Sequence, residues 1–207
     1  GVGNSTQTGT NNTIVMGENN IVSGFSRNSI ITGNQNVISN GVNNANVSGT
    51  LGEATVDNST VLGGNFNEDI VGKRQTMTFM YARQSTDNST IDAYLNNNPD
   101  SSFVIPLNTA VYFQSETLAV RVGGTATGNV GDFKAFVERG VVINKSGVLS
   151  IVRSRTSPAD SGTTSGWQAI NSFSGTTFLQ TVKGANNRTI EWTSTIRFTQ
   201  IKTEVTL

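Results

Sequence analysis

Residues 11–65 read NNTIVMGE, NNIVSGFS, RNSIITGNQ, NVISNGVN, NANVSGTLG, EATVDNS, TVLGGN. Glycines at Gly9, Gly17, Gly24, Gly33, Gly41 and Gly49 keep a spacing near eight. A β-branched residue (Ile14, Ile21, Ile30, Val37 or Ile38, later Val61) stands three or four places before most of them. The unit Asn-x-[Ile/Val]-x-x-Gly predicts one short strand with an inward aliphatic, then a turn at positive φ, which Gly and Asn tolerate. One eight-residue unit buries nothing alone. Stacked as coils, each aliphatic meets its equivalents above and below, and Asn side chains can form hydrogen-bonded ladders.

The surrounding composition fits that reading. Between Thr10 and Gly52 only Glu18 and Arg27 are charged, and residues 1–75 hold just two aromatics, Phe25 and Phe66. Such a stretch builds no conventional core, so it is either a repeat structure or a linker, and the register of Ile with Gly favours the repeat. A face of one Ile or Val per half-coil is narrow, which points to three copies pooling their aliphatic faces. Residues 1–69 therefore read as a short trimeric β-solenoid stalk and residues 70–75 as a junction.

From residue 76 the pattern becomes that of half-buried strands, beginning with the alternating run TMTFMYAR. Further runs follow at 90–95, 102–105, 110–114, 117–122, 132–137, 147–155, 167–173, 177–183, 189–195 and 197–206. Turn signals separate them at 96–100, Gly123-Gly124, 144–147, 157–162 and 184–187. Short strands at this spacing predict an antiparallel β-sandwich knob, jelly-roll-like, over residues 76–207. The whole chain reads as all-β.

The 207 residues carry 14 Lys plus Arg against 14 Asp plus Glu, with no Cys and no His. The neutral balance argues against a nucleic-acid partner. The missing side chains exclude thiol nucleophiles, disulfides, Cys/His zinc sites and His-based proton transfer. No apolar run of 18 residues exists to insert in a membrane as a helix. The chain begins at Gly1 without an initiator Met or a signal-peptide pattern, and so reads as a piece of something longer.

The repeat resembles the head repeats of trimeric autotransporter adhesins and related thin repeats of phage tail fibres, with Asn where those adhesins use Ala and Ser. A second resemblance rests on Phe103-Val-Ile-Pro-Leu-Asn-Thr-Ala110, Val120-Arg121, Gly131-Asp-Phe-Lys-Ala-Phe136, Glu138-Arg-Gly140 and Arg188-Thr-Ile-Glu-Trp192. In that order and spacing they look like the C-terminal, distal-tip domain of phage and prophage tail fibre proteins. The resemblance implies a homotrimeric knob at the tip of a fibre that touches a bacterial host, located on the virion tail and outside the cell. Its implied partners are a host surface receptor, glycan or protein, and an upstream fibre or baseplate protein. A bacterial trimeric adhesin head and a polysaccharide-depolymerising tailspike are the alternatives.

Few side chains offer chemistry. Asp132 and Glu138 share a strand face about 20 Å apart, too far for a glycosidase dyad. Glu68-Asp69, Asp87, Asp92, Asp100, Asp160 and Glu191 show no converging spacing, so the sequence reads as a non-enzyme with no cofactor. Asp92 with the 96–100 turn offers hard oxygen ligands but no calcium motif, and no metal is expected. Asp132 and Lys134 flank Phe133 and read as a structural ion pair or a solvated face. The receptor-binding candidates are Trp167 at a loop edge, Arg153 and Arg155 two apart on one strand face, and Asp160 in a Ser-rich loop. Trp167 reads more readily as a core or trimer-interface anchor than as a sugar-stacking face, and the two arginines equally as partners for Glu across a subunit boundary.

Overall fold

A computed structural model describes residues 1–64, 70–96 and 98–203, and among them all regular structure is β-strand. Eight short strands build the first part. The longer ones are β2 (Ile14–Glu18), β4 (Ile30–Asn34), β6 (Asn46–Thr50) and β8 (Thr60–Gly64). They alternate with two-residue strands β1 (Ser5–Thr6), β3 (Ile21–Val22), β5 (Val37–Ile38) and β7 (Glu53–Ala54). Each set stacks in parallel. Two eight-residue units thus make one coil, and about four coils make a β-solenoid. Ile14 lies over Ile30 and Ile30 over Asn46, sixteen residues on; the last step, Asn46 to Thr60, is fourteen.

A buried amide column holds the coils in register. Asn20 and Asn36 are fully buried, and the two N–H groups of each side-chain Nδ2 are shared among three acceptors within hydrogen-bond distance. Asn36 reaches Asn20 Oδ1 at 3.2 Å, Thr32 O at 2.9 Å and Gly49 O at 2.9 Å. Asn20 repeats this one coil earlier with Asn4 Oδ1, Met16 O and Gly33 O. The Asn36 Oδ1 accepts from the Gly52 N–H at 2.7 Å. Beside this column runs one of glycines: a Cβ on Gly33 would overlap the Gly49 carbonyl, and φ there is +108°. At the corners Asn12, Asn28, Asn44 and Asn58 all sit near φ +53°, the left-handed region Asn tolerates. Phe25 takes that region too, where the coils on either side place Gly9 and Gly41.

Of the aliphatics expected to point inward, Ile38 and Val61 do and three do not. Ile14, Ile21 and Ile30 point outward, while Val22, Ile31, Ile38, Val47, Ala54 and Val61 close a core inside one chain. Aliphatics come in adjacent pairs (Ile14-Val15, Ile21-Val22, Ile30-Ile31, Val37-Ile38), and strand alternation sends one member in and the other out. The solenoid consequently fills its interior and still shows aliphatic side chains outside.

The rest of the chain forms nine strands: β9 (Arg74–Ser85), β10 (Thr90–Leu95), β11 (Phe103–Val104), β12 (Thr109–Gly123), β13 (Phe133–Lys145), β14 (Val148–Asp160), β15 (Gln168–Ser174), β16 (Thr177–Lys183) and β17 (Thr189–Lys202). The solenoid does not stop at a hinge. β8 pairs antiparallel with β9, so one sheet runs β14-β13-β12-β17-β9-β8-β6-β4-β2. A smaller layer centred on β16 pairs with β15, β10 and β11, and β10 also reaches β9. Phe79, Phe103, Phe113, Phe178 and Phe198 pack ring to ring between the layers, with centroids 4.7–5.6 Å apart.

Eleven expected runs become nine strands because two presumed breaks are continuous. Ser115, Thr117 and Ser194 face inward and satisfy one another: Thr117 Oγ1 and Ser194 Oγ are 2.7 Å apart, and Gln180 Nε2 donates to Thr117 Oγ1 at 3.0 Å. At the first break the polar Ser115 looks like a gap in sequence, yet it belongs to this buried network; at the second, Ile196 is simply a buried residue within β17. The part of the 197–206 run beyond Thr203 lies outside the described residues.

Asn36→Ala should cost about 2–3 kcal/mol by chemical denaturation, since it strands several buried backbone groups at once. Asn12→Ala, at an exposed corner with one side-chain bond to Asn28, should cost under about 1 kcal/mol in the same assay.

Candidate functional site

Three of the four candidate residues converge at one place, where β13 meets β14 and the chain turns through 161–167. There Lys134, Phe136, Arg155, Thr156, Ser157, Gly166, Trp167 and Gln168 line a cleft of about 330 Å³. Alternation puts Lys134, Phe136 and Glu138 on one face of β13, and the ladder sets Asp160 opposite Lys134 and Arg155 opposite Glu138. Between Ala135 and Val137 the register slips by one residue, so Ser157 and Pro158 together face Phe136. A bulge is where a proline, lacking an N–H, can sit in an edge strand. The segment 156–160, expected as loop, is therefore strand.

Asp160 is the hub of the rim. Its carboxylate is 3.1 Å from Lys134 Nζ and accepts the Gly162 N–H at 2.6 Å. The nearby Thr164 side chain and the Gly162 N–H, with Lys134 adding its charge, hold its carboxyl below the usual range. Lys134 Nζ also lies 5.6 Å from the centre of the Phe136 ring. Lys134 thus pairs with Asp160 and not with Asp132.

Arg155 donates from Nη1 to Ala169 O at 3.2 Å. Arg153, the fourth candidate, stands behind the cleft, its Nε 3.4 Å from Glu138 Oε1. Glu138 is buried, and its Oε2 accepts from Asn171 N at 3.1 Å and Asn171 Nδ2 at 3.3 Å. Burial pushes its pKa up, against the opposing pull of Asn171 and the two arginines.

Trp167 is only 2% exposed, with its ring 6.1 Å from Trp192, which in turn stacks on Phe136 at 6.2 Å. It is a core anchor, and its face is not open to a stacking sugar. Trp167 still contributes to the wall of the cleft.

The rim segment is braced from behind. Arg121, buried, donates to the carbonyls of Gly123, Gly124, Ala126 and Thr127. Arg188 bonds Thr163 O and Thr127 O, joining loop 124–131 to loop 161–166. Asp132 accepts from the Thr163 hydroxyl and the Asn129 N–H, which lower its pKa. Gly131, at φ +95°, turns the chain into β13. A cleft with a rim tied this way binds without first ordering a loop.

Among the described residues no three Asp or Glu side chains gather as metal ligands. Glu68 and Asp69, and Asn97 of the 96–100 turn, lie outside the described residues. Lys134, Phe136 and Gln168 were not singled out from sequence as ligand-facing. The alternation that paired Arg153 with Arg155 carries part of the signal, but only the bulge brings Lys134 beside them.

No protein-family model matches the chain, nor does any curated protein. Among solved structures the chain is similar to the tailspike protein gp49 of Acinetobacter baumannii bacteriophage Fri1, a capsular polysaccharide depolymerase. That match has a TM-score of 0.35 and 12% identity, over 91% of this chain and 35% of that one. The tailspike of Acinetobacter phage vB_ApiP_P1 matches with a TM-score of 0.35 and 10% identity, over 91% and 46%. The chain thus spans less than half the length of either. The reading as a non-enzyme is corrected here: gp49 is described as a depolymerase, and the exclusion of catalysis is withdrawn.

The carboxylates give opposite pH signs. Glu138, raised in the folded state, favours folding at low pH, and that contribution is lost as pH rises through its folded pKa. Asp132 and Asp160, lowered, stabilise above their unfolded pKa and lose this as pH falls through the folded one. The melting temperature of Glu138→Gln relative to wild type should therefore rise as pH increases from about 4 to about 7, whereas that of Asp132→Asn should fall as pH increases through the acid range up to about 4 and stay level above it.

Proposed function

We propose that this chain is the distal part of a homotrimeric phage tail fibre or tailspike that attaches the virion to a glycan on a bacterial surface. The observation that carries the reading is the outer face of the nine-strand sheet. Ile14, Met16, Ile30, Leu62, Met80, Tyr112, Leu118, Val141 and Val152 all lie on it, and all stay substantially exposed in one chain. Val152, Val141, Tyr112, Thr199, Thr76 and Leu62 form a single cross-strand row, from edge strand β14 to the solenoid. Polar side chains such as Gln114, Glu116, Thr195 and Arg197 lie among these residues on the same face, a mixture of exposed apolar and polar groups that suits an interface between copies of the chain. Copies packed around a three-fold axis would cover stalk and knob together.

On this reading the cleft at Lys134, Arg155 and Asp160 is left to face the host. Three equivalent sites on a stiff shaft turn weak single contacts into avid attachment. An upstream fibre or baseplate protein would join at the solenoid's first coil, and the protein would act outside the cell. Whether engagement ends in cleavage of the glycan is read from the same assay.

Light scattering should give a mass near three times 21.9 kDa. The double variant Ile30→Glu, Leu62→Glu should fall to monomer. The trimer should bind immobilised capsular polysaccharides from a bacterial panel at least tenfold more tightly than that monomer. Oligosaccharide released into the supernatant would add hydrolysis to binding. A dilution-stable monomer, or a trimer that binds no glycan of the panel, would overturn the reading.

A further inference from the structure

We infer that the solenoid corner carrying Phe25, with the polar cleft beside it, is a second glycan site that takes an uncharged oligosaccharide; this rests on the reading of the chain as a glycan-attachment protein. The starting observation is where a large apolar ring is displayed. Phe25 is 63% exposed, and at the same corner the preceding and following coils place Gly9 and Gly41. Its ring rests against Gly9, where a Cβ would come within 2.7 Å of it. One coil later Gly41 leaves the surface open, with nothing within 4 Å of where its Cβ would stand. At φ +61° glycine is the easier residue, yet the chain presents an aromatic to solvent.

The corner leads into a cleft of about 280 Å³, lined by Asn40, Gly41 and Asp57 of the solenoid and by Asp100, Ser101 and Ser102 of the knob. The Asn40 carboxamide links ring and cleft: its Oδ1 lies 3.3 Å from where a Cβ on Gly24, the neighbour of Phe25, would stand. Amide, hydroxyl and carboxylate groups thus line a space in which sugar hydroxyls can both donate and accept. Among the described lining residues none is cationic, so an acidic sugar would meet carboxylates without a counter-charge. A lone ring among Gln7, Thr8 and Asn40 lacks the apolar area of a protein interface. It matches a sugar, which has one apolar C–H face and a polar rim. From the coil of Gly9 to that of Gly41 is two strand spacings, about 10 Å, a span for an oligosaccharide and not for a single ring. The turn at 24–25 falls midway between β2 and β4, on the far side of the coil from the outer face that the copies would share, and stays accessible in a trimer.

The test uses the intact protein, immobilised capsular polysaccharides, both uncharged and acidic, and thermal melting. Phe25→Gly removes the ring and suits the backbone. It should melt within about 3 °C of wild type and bind uncharged polysaccharide at least tenfold more weakly. Asp100→Lys, at an exposed position of the cleft, should likewise weaken that binding at least threefold without lowering the melting temperature further than this. Equal binding by Phe25→Gly and wild type would overturn the proposal and leave attachment through the Lys134 cleft standing. Retention of acidic polysaccharides alone would also overturn it. A larger fall in the melting temperature of Phe25→Gly would mark the ring as a structural brace and overturn it too. A wild-type protein that holds no polysaccharide would overturn this site and the attachment reading together.

Discussion

The pairing of β8 with β9 is the constraint on which the remaining architecture depends. Val61 stands opposite Met77 and Leu62 opposite Thr76, so the parallel ladder of the solenoid passes directly into an antiparallel one. A one-residue slip at this seam would exchange inner and outer faces for every strand beyond it. With the observed register, Val61 and Met77 continue one buried row, and Leu62 and Met80 remain on the outer side. Shaft and knob consequently share a single core side and a single outer side, which two domains joined by a flexible linker would not.

Much of this was readable from the chain. The period of eight, the left-handed corners and the Asn ladder follow from residue types whose conformational preferences are strong. Direction was harder. Where Ile14-Val15 or Ile30-Ile31 offers two equivalent aliphatics, period-two alternation says that one points inward but not which. The answer depends on how the coil closes, a tertiary fact. Polar residues misled in the opposite way. Ser115 fell at an expected break, although it is a buried strand residue whose partner Gln180 lies over sixty residues away in sequence.

The candidate site shows the same division. Arg153 and Arg155 were placed on one strand face by simple alternation, and the ladder agrees. Their neighbourhood could not be foreseen, because Lys134 and Asp160 come opposite each other only after the bulge at Pro158 absorbs a residue. Trp167, next to a Gly- and Ser-rich segment, was named as a receptor candidate although its sequence reading leaned toward a buried anchor. Packing against Trp192 decides it. What a sequence gives least is the balance of donors and acceptors in a cleft, since that depends on which groups are already engaged.

The sixteen-residue step of the coils has a consequence for how such a shaft can vary. Each coil adds one strand spacing, about 4.8 Å, along the stack. Inserting or deleting sixteen residues keeps every amide, glycine and aliphatic in its own column, so the shaft grows or shrinks without turning its faces. An arbitrary insertion within a strand would break three columns at once, although the fourteen-residue last coil shows that a corner can lose two residues. Shaft length is therefore quantised, and the chain works as a ruler graduated in coils.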